Sequence, residues 1–160
     1  MKLDAVRDFL SSPSAATVAE FLDDESTVFW IDWRQEDETI AESCELTLNT
    51  GVLGGEIIEN TNDGSDYHVE IIYNAKRERV PLTFSTADRH LTLLTINRIL
   101  NPDYEIRFCI DSNGGDTLGF VALSSGDWTS LHAQFGDLVD KHFYRIAETP
   151  NLFTDPLPFV

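Results

Sequence analysis

The consecutive residues Asp88-Arg89-His90 combine a carboxylate, a permanent cation and an imidazole, the residue types of acid–base catalysis. Their position argues for a plainer role. Ser85-Thr86-Ala87-Asp88 has the spacing of a capping box, with Asp in place of the usual Glu or Gln, so Asp88 is expected to close a helix start. Arg89 and His90 are then expected on the surface of the first turn. The four histidines, His68, His90, His132 and His142, are scattered. The last two share a predicted helix but stand ten residues apart, which rules out chelation of one metal by an i, i+4 pair. The stretches NTNDGSD (60–66) and DSNGGD (111–116) echo calcium loops without matching their full pattern, and their Asn, Asp, Gly and Ser residues are what tight turns require. Ser124 and Ser125 have no nucleophile elbow around them, and no glycine-rich loop or Lys/Arg cluster stands ready to hold a phosphate. The expectation is a protein that is not an enzyme and uses no cofactor and no metal.

The remaining candidates are the carboxylates. The chain carries a net charge of −17, and the charge is uneven. Residues 1–75 hold seventeen Asp and Glu against three Lys and Arg, while residues 76–160 hold eleven against eight. Uniform acidity serves solubility, whereas acidity gathered in one half makes a directed field that selects a partner of opposite sign. Phosphate backbones and anionic lipid are repelled, so direct binding to nucleic acid or to a membrane surface is disfavoured and a basic protein partner is favoured. The expected partner-binding residues are Asp23, Asp24, Glu25, Asp32, Glu36, Asp37, Glu38, Glu42, Glu45, Asp63 and Asp66. Trp30 and Trp33 lie among them, as large rigid side chains of the kind enriched at interface hot spots or as core. The basic run Lys76-Arg77-Glu78-Arg79 reads as internal charge balance.

These residues must be positioned by the elements that the hydrophobic pattern implies. Short helices are predicted over 3–10 and 15–22, the second capped by Ser14. A strand is predicted over 27–33, with Phe29, Ile31 and Trp33 on its buried face and Val28, Trp30 and Asp32 on the other. Ile40, Cys44 and Leu48 recur at helical spacing, so a helix should run to residue 48. Glu36, Asp37 and Glu38 would stand in its first turn, where carboxylates offset the dipole. Its outer side would carry Asp37, Glu38, Glu42 and Glu45. Strands follow over 56–59, 67–73 and 80–83, then a helix to Leu100. Alternation over 104–110, the turn at 111–116 and a return over 117–123 make a hairpin. One long helix capped by Ser125 runs on to His142, and residues 149–160 form an extended tail pinned by Leu152, Phe153, Leu157 and Phe159. Hairpins with interspersed helices describe a single α+β domain over residues 1–160, its mainly antiparallel sheet packed against several helices.

At this length one core can bury roughly two-thirds of the unfolded surface. The N-terminal residues MKLDAVRDFL lack the apolar stretch of a signal peptide, and no apolar run reaches the length of a membrane span. Cys44 and Cys109 share no ligand spacing and are expected as reduced, buried thiols in a cytoplasmic protein.

One resemblance adds to this reading. It rests on Val80-Pro81-Leu82-Thr83-Phe84-Ser85, Asp88-Arg89-His90, Asn101-Pro102-Asp103-Tyr104-Glu105-Ile106-Arg107, Asp116-Thr117-Leu118-Gly119-Phe120 and Trp128. With these residues the chain, over about 27–155, resembles small acidic bacterial proteins of toxin–immunity loci, including those of contact-dependent growth inhibition. The resemblance implies an immunity protein that binds one cognate toxin domain, often a basic nuclease, and occludes its active site. It implies no catalytic residues. The same charge also fits a nucleic-acid mimic that blocks a DNA-binding protein, and an enzyme with an unrecognised site is the third alternative.

Overall fold

The central strand of the fold is apolar on both faces. Its sequence LGFVAL sends Leu118, Phe120 and Ala122 into one core and Val121 and Leu123 into another. A strand of that kind requires cover on both sides of its sheet. The computed structural model describes residues 1–59 and 62–159 and supplies that cover. In chain order the elements are α1 (Lys2–Ser11), α2 (Ala15–Leu22), β1 (Val28–Asp32), α3 (Asp37–Leu48), β2 (Leu53–Glu59), β3 (Tyr67–Tyr73), β4 (Lys76–Arg79), α4 (Asp88–Leu100), β5 (Tyr104–Cys109), β6 (Thr117–Ser124), α5 (Ser125–Phe135), α6 (Asp137–His142) and β7 (Phe143–Arg145). The fold is α+β, with two antiparallel sheets of order β1-β6-β5-β7 and β2-β3-β4.

One face of the four-stranded sheet packs against α1, α2, α5 and α6 through Val6, Phe9, Phe21, Trp128, Leu131 and Val139. The other face meets α3, α4 and the inner face of the small sheet, where Ile40, Leu93, Ile96, Val69 and Ile71 are buried. The tail lies on this second core, with Leu152 buried and Phe153, Leu157 and Phe159 partly so. Cys44 and Cys109 are free buried thiols, and burial pushes both thiol pKa values up. Phe29 and Ile31 face the second core as their alternation requires, and Val28 is also buried because α1 and α2 cover the other face.

Several boundaries differ from the periodicity reading. Gly136 takes φ +57°, a conformation that glycine reaches without the Cβ clash, and the predicted long helix breaks there into α5 and α6. Ser124, one residue before the expected Ser125, caps α5 by accepting the Asp127 N–H at 3.0 Å. The strand expected over 80–83 is instead β4, four residues earlier, joined to β3 by a two-residue turn with Asn74 at φ 56°. β2 begins at Leu53, and Gly55 in it permits α3 to lie against the strand: a Cβ there would stand 2.2 Å from the Glu38 carbonyl oxygen. The helix expected to begin at the Ser85 box begins at Asp88, and β7 is a strand that periodicity did not mark.

Candidate functional site

The site grows from the end of β1. Asp32 accepts the Arg34 N–H at 2.7 Å and Arg34 Nε at 3.2 Å, which turns the chain out of the sheet. These bonds, the backbone one foremost, hold the Asp32 carboxyl below its ordinary range. Trp33 therefore leaves the buried face predicted for it and stands 38% exposed, with the Arg34 guanidinium 5.3 Å from its ring centroid. Trp30 stays half-buried, its indole donating to the Leu22 carbonyl at 3.3 Å.

Asp37 does not stand on the outer side of α3. It is buried and gripped by Arg89, with Nε to Oδ1 at 2.9 Å and Nη2 to Oδ2 at 2.6 Å, while Thr92 donates to Oδ1 at 2.8 Å. A buried carboxylate needs this forked pairing to offset desolvation. Arg89 also donates to the Trp33 carbonyl at 3.1 Å, so it fastens α4 to the start of α3. Arg89 is thus largely drawn inward rather than displayed, and His90 is fully buried. The His90 ring bridges to the tail, with Nε2 2.7 Å from the Ala147 carbonyl and Nδ1 3.2 Å from the Leu152 N–H.

Asp88 organises the third wall. Its buried carboxylate accepts from the Thr83 N–H at 2.9 Å, the Thr83 hydroxyl at 2.6 Å, the Phe84 N–H at 2.7 Å and the Ser85 N–H at 3.2 Å. These bonds hold Phe84 at φ +58°, a left-handed conformation rare for a bulky residue, with 58% of it exposed. The Phe84 ring meets Tyr67 edge-on at 5.4 Å. Trp33, Tyr67, Phe84, Glu36 and Arg89 line an open cleft of about 420 Å³. Burial, then Glu36, Asp37, Glu38 and Asp88 in turn, push the Tyr67 hydroxyl pKa up, so the potential of several carboxylates converges there.

The expected acidic face divides. Asp23, Asp24 and Glu25 precede β1 and Glu36 follows it; a five-residue strand separates the two groups by roughly 16 Å. Asp24 is engaged by the Ser26 and Thr27 hydroxyls at 2.6 and 2.7 Å, and these two bonds, largest first, hold its pKa down. Glu45 closes the C-terminal end of α3, accepting from Thr50 Oγ1 at 2.6 Å and the Gly51 N–H at 2.8 Å. Asp63 pairs with Arg79, and Glu56 with Arg77 at 3.0 Å, so the basic run of β4 does balance acids of the neighbouring hairpin. Glu36, Glu38 and Glu42 carry no ion pair among the described residues, and Glu36 and Glu42 are exposed. Asp66 is exposed and directly precedes Tyr67, and Glu59 opposes Tyr67 in register. Of the expected carboxylates, Glu36, Glu42 and Asp66 remain exposed near the cleft or along α3, Asp23 and Glu25 remain exposed before β1, and Asp37 belongs to the scaffold. Of the predicted loops, residues 60 and 61 lie outside the described residues.

Elsewhere, His142 Nδ1 lies 2.7 Å from Asp111, and Arg107 is fully buried against Trp128 with Glu105 at 2.8 Å and His132 at 2.7 Å. Among the described residues no three His, Cys, Asp or Glu side chains come together to hold a metal ion, and no helix is long and apolar enough to cross a membrane. Sequence reasoning missed Tyr67, Phe84 and Arg89 as site residues. The usable signal was Asp88 placed to collect the N–H groups of a short loop that displays one aromatic. No family model, curated protein or solved structure matches the chain.

Proposed function

We propose that the chain is an immunity-type protein that binds a basic toxin domain, a nuclease by preference, and occludes its active site. The observation that carries this reading is the exposed Trp33 and Phe84 set in one cleft with Glu36, with half-buried Glu38 close enough to act on Tyr67, both carboxylates being without intramolecular ion pairs among the described residues. Carboxylates of this rim would enter the toxin's cationic groove in place of nucleic-acid phosphates. Long-range attraction would speed encounter, and rings desolvated at the centre would slow release.

The test is binding of the toxin domain encoded beside this gene across a salt series, with the wild type and with Glu36→Lys plus Glu38→Lys. The expected result is a Kd that weakens steeply with salt, as surface electrostatics do when the Debye length shrinks below about 10 Å, and weakens further in the charge-reversal variant. Absence of binding, or binding indifferent to both, overturns the reading.

A further inference from the structure

Resting on that reading, we propose that the Trp33–Tyr67–Phe84 cleft is the seat of one arginine side chain of the partner. Three aromatic side chains line one open cleft, and the Glu36 carboxylate stands on its rim. The charges within it do not cancel. Asp37 is matched by Arg89, Asp88 is buried among neutral donors, and Arg34, which lies over Trp33, is drawn to Asp32 outside the lining, so Glu36 is the exposed carboxylate of the cleft left unpaired. A cation entering here meets aromatic rings and the unpaired Glu36 carboxylate together, the combination that favours cation–π binding with some desolvation.

Guanidinium fits this seat better than the alternatives. It is planar, stacks on rings and can fork to a carboxylate, whereas an ammonium is a strongly hydrated point charge. The chain itself uses the arrangement twice, with Arg34 over Trp33 at 5.3 Å and Arg107 over Trp128 at 4.3 Å. An apolar side chain would instead bury Glu36 without giving it a partner.

The Phe84 backbone supplies an independent argument. A left-handed bulky residue is costly, and such conformations persist where the surroundings over-determine them, most often at functional sites. Here the buried Asp88 carboxylate over-determines it, and the outcome is a ring more than half exposed over the cleft. A fold that needed only a loop at this position would place glycine or asparagine there. The strain holds the ring ready before any partner arrives.

The experiment titrates the full chain with the peptides Gly-Gly-Arg-Gly-Gly, Gly-Gly-Lys-Gly-Gly and the citrulline analogue, following the Trp33 indole N–H by NMR. The arginine peptide is expected to shift that signal saturably. Loss of the charge in citrulline, and Phe84→Ala or Glu36→Gln in the protein, should each weaken binding about 2- to 30-fold, the range of one cation–π contact. Lysine should bind more weakly than arginine. Equal affinity for arginine and citrulline, or shifts unchanged by Phe84→Ala and Glu36→Gln, overturns the proposal. If the arginine peptide fails while the toxin domain still binds and responds to charge reversal, the seat is wrong and the immunity reading stands. If the peptide binds as described and the toxin domain does not, the reverse holds.

Discussion

At most positions glycine is a worse replacement than alanine, and at Phe84 the order should invert. Both substitutions delete the same ring and the same edge contact with Tyr67, so the lost packing cancels between them. What remains is backbone. Alanine at φ +58° keeps the left-handed penalty, about 1–2 kcal/mol for an L-residue. Glycine is free of it but loses more freedom on folding, about 0.5–1 kcal/mol relative to alanine. The difference leaves Phe84→Gly more stable than Phe84→Ala by about 0.5–1 kcal/mol. For 160 residues the unfolding entropy is about 0.34 kcal/mol per kelvin, from about 2.1 cal/mol/K per residue. The glycine variant should therefore melt about 1.5–3 °C above the alanine variant, by calorimetry and by urea midpoint at equal m-value. Binding of an arginine peptide should be weakened equally in both. A glycine variant at or below alanine in stability would show that Asp88 does not hold the loop left-handed, and the argument for a pre-set Phe84 ring would fail with it.

Two further outcomes follow from the scaffold beneath the cleft. Asp37→Asn leaves the partly buried Arg89 without its charge partner and should cost about 1–3 kcal/mol in urea unfolding, while Asp37→Leu with Arg89→Met should recover part of that loss. His90 responds to pH: burial, its leading influence, lowers its pKa below 6.5, so the folded form keeps it neutral and able to accept the Leu152 N–H. Its contribution is present above about pH 6.5 and falls away as pH drops and the unfolded chain takes up the proton. Urea midpoints at pH 7 and pH 5 should converge more closely in His90→Gln than in the wild type.

Much of the framework could be read from alternation and capping. The β5–β6 hairpin, the Ser14 cap with its reciprocal Thr17 bonds at 2.7 and 3.2 Å, and the pinned tail all rest on local signals. The shift from a predicted strand at 80–83 to Lys76–Arg79 has a tertiary cause, because that run pairs its arginines with Glu56, Glu70 and Asp63 across the small sheet. The site was harder for the same reason. Counting charge along the chain places Asp37 and Glu42 in one group, yet 52 residues separate Asp37 from the Arg89 that removes it from the surface. Phe84 reads as an ordinary loop aromatic until Asp88 is seen to gather its N–H and those of its neighbours.

The pairing of β1 with β6 sets a schedule on how the molecule comes into being. Phe29 lies opposite Phe120, so the strand that carries Trp33 at its end has no partner until some 90 further residues exist. At about 5–20 residues per second that interval lasts roughly 5–20 s on the ribosome. Arg89, which locks Asp37, emerges partway through it, but the edge strand still waits for the closing hairpin. The long-range closure that this demands is the slow kind of folding step. The acidic, aromatic cleft thus takes shape late relative to its own residues, and a ligand that needs its assembled geometry meets a binding-competent chain only after β6 has been made.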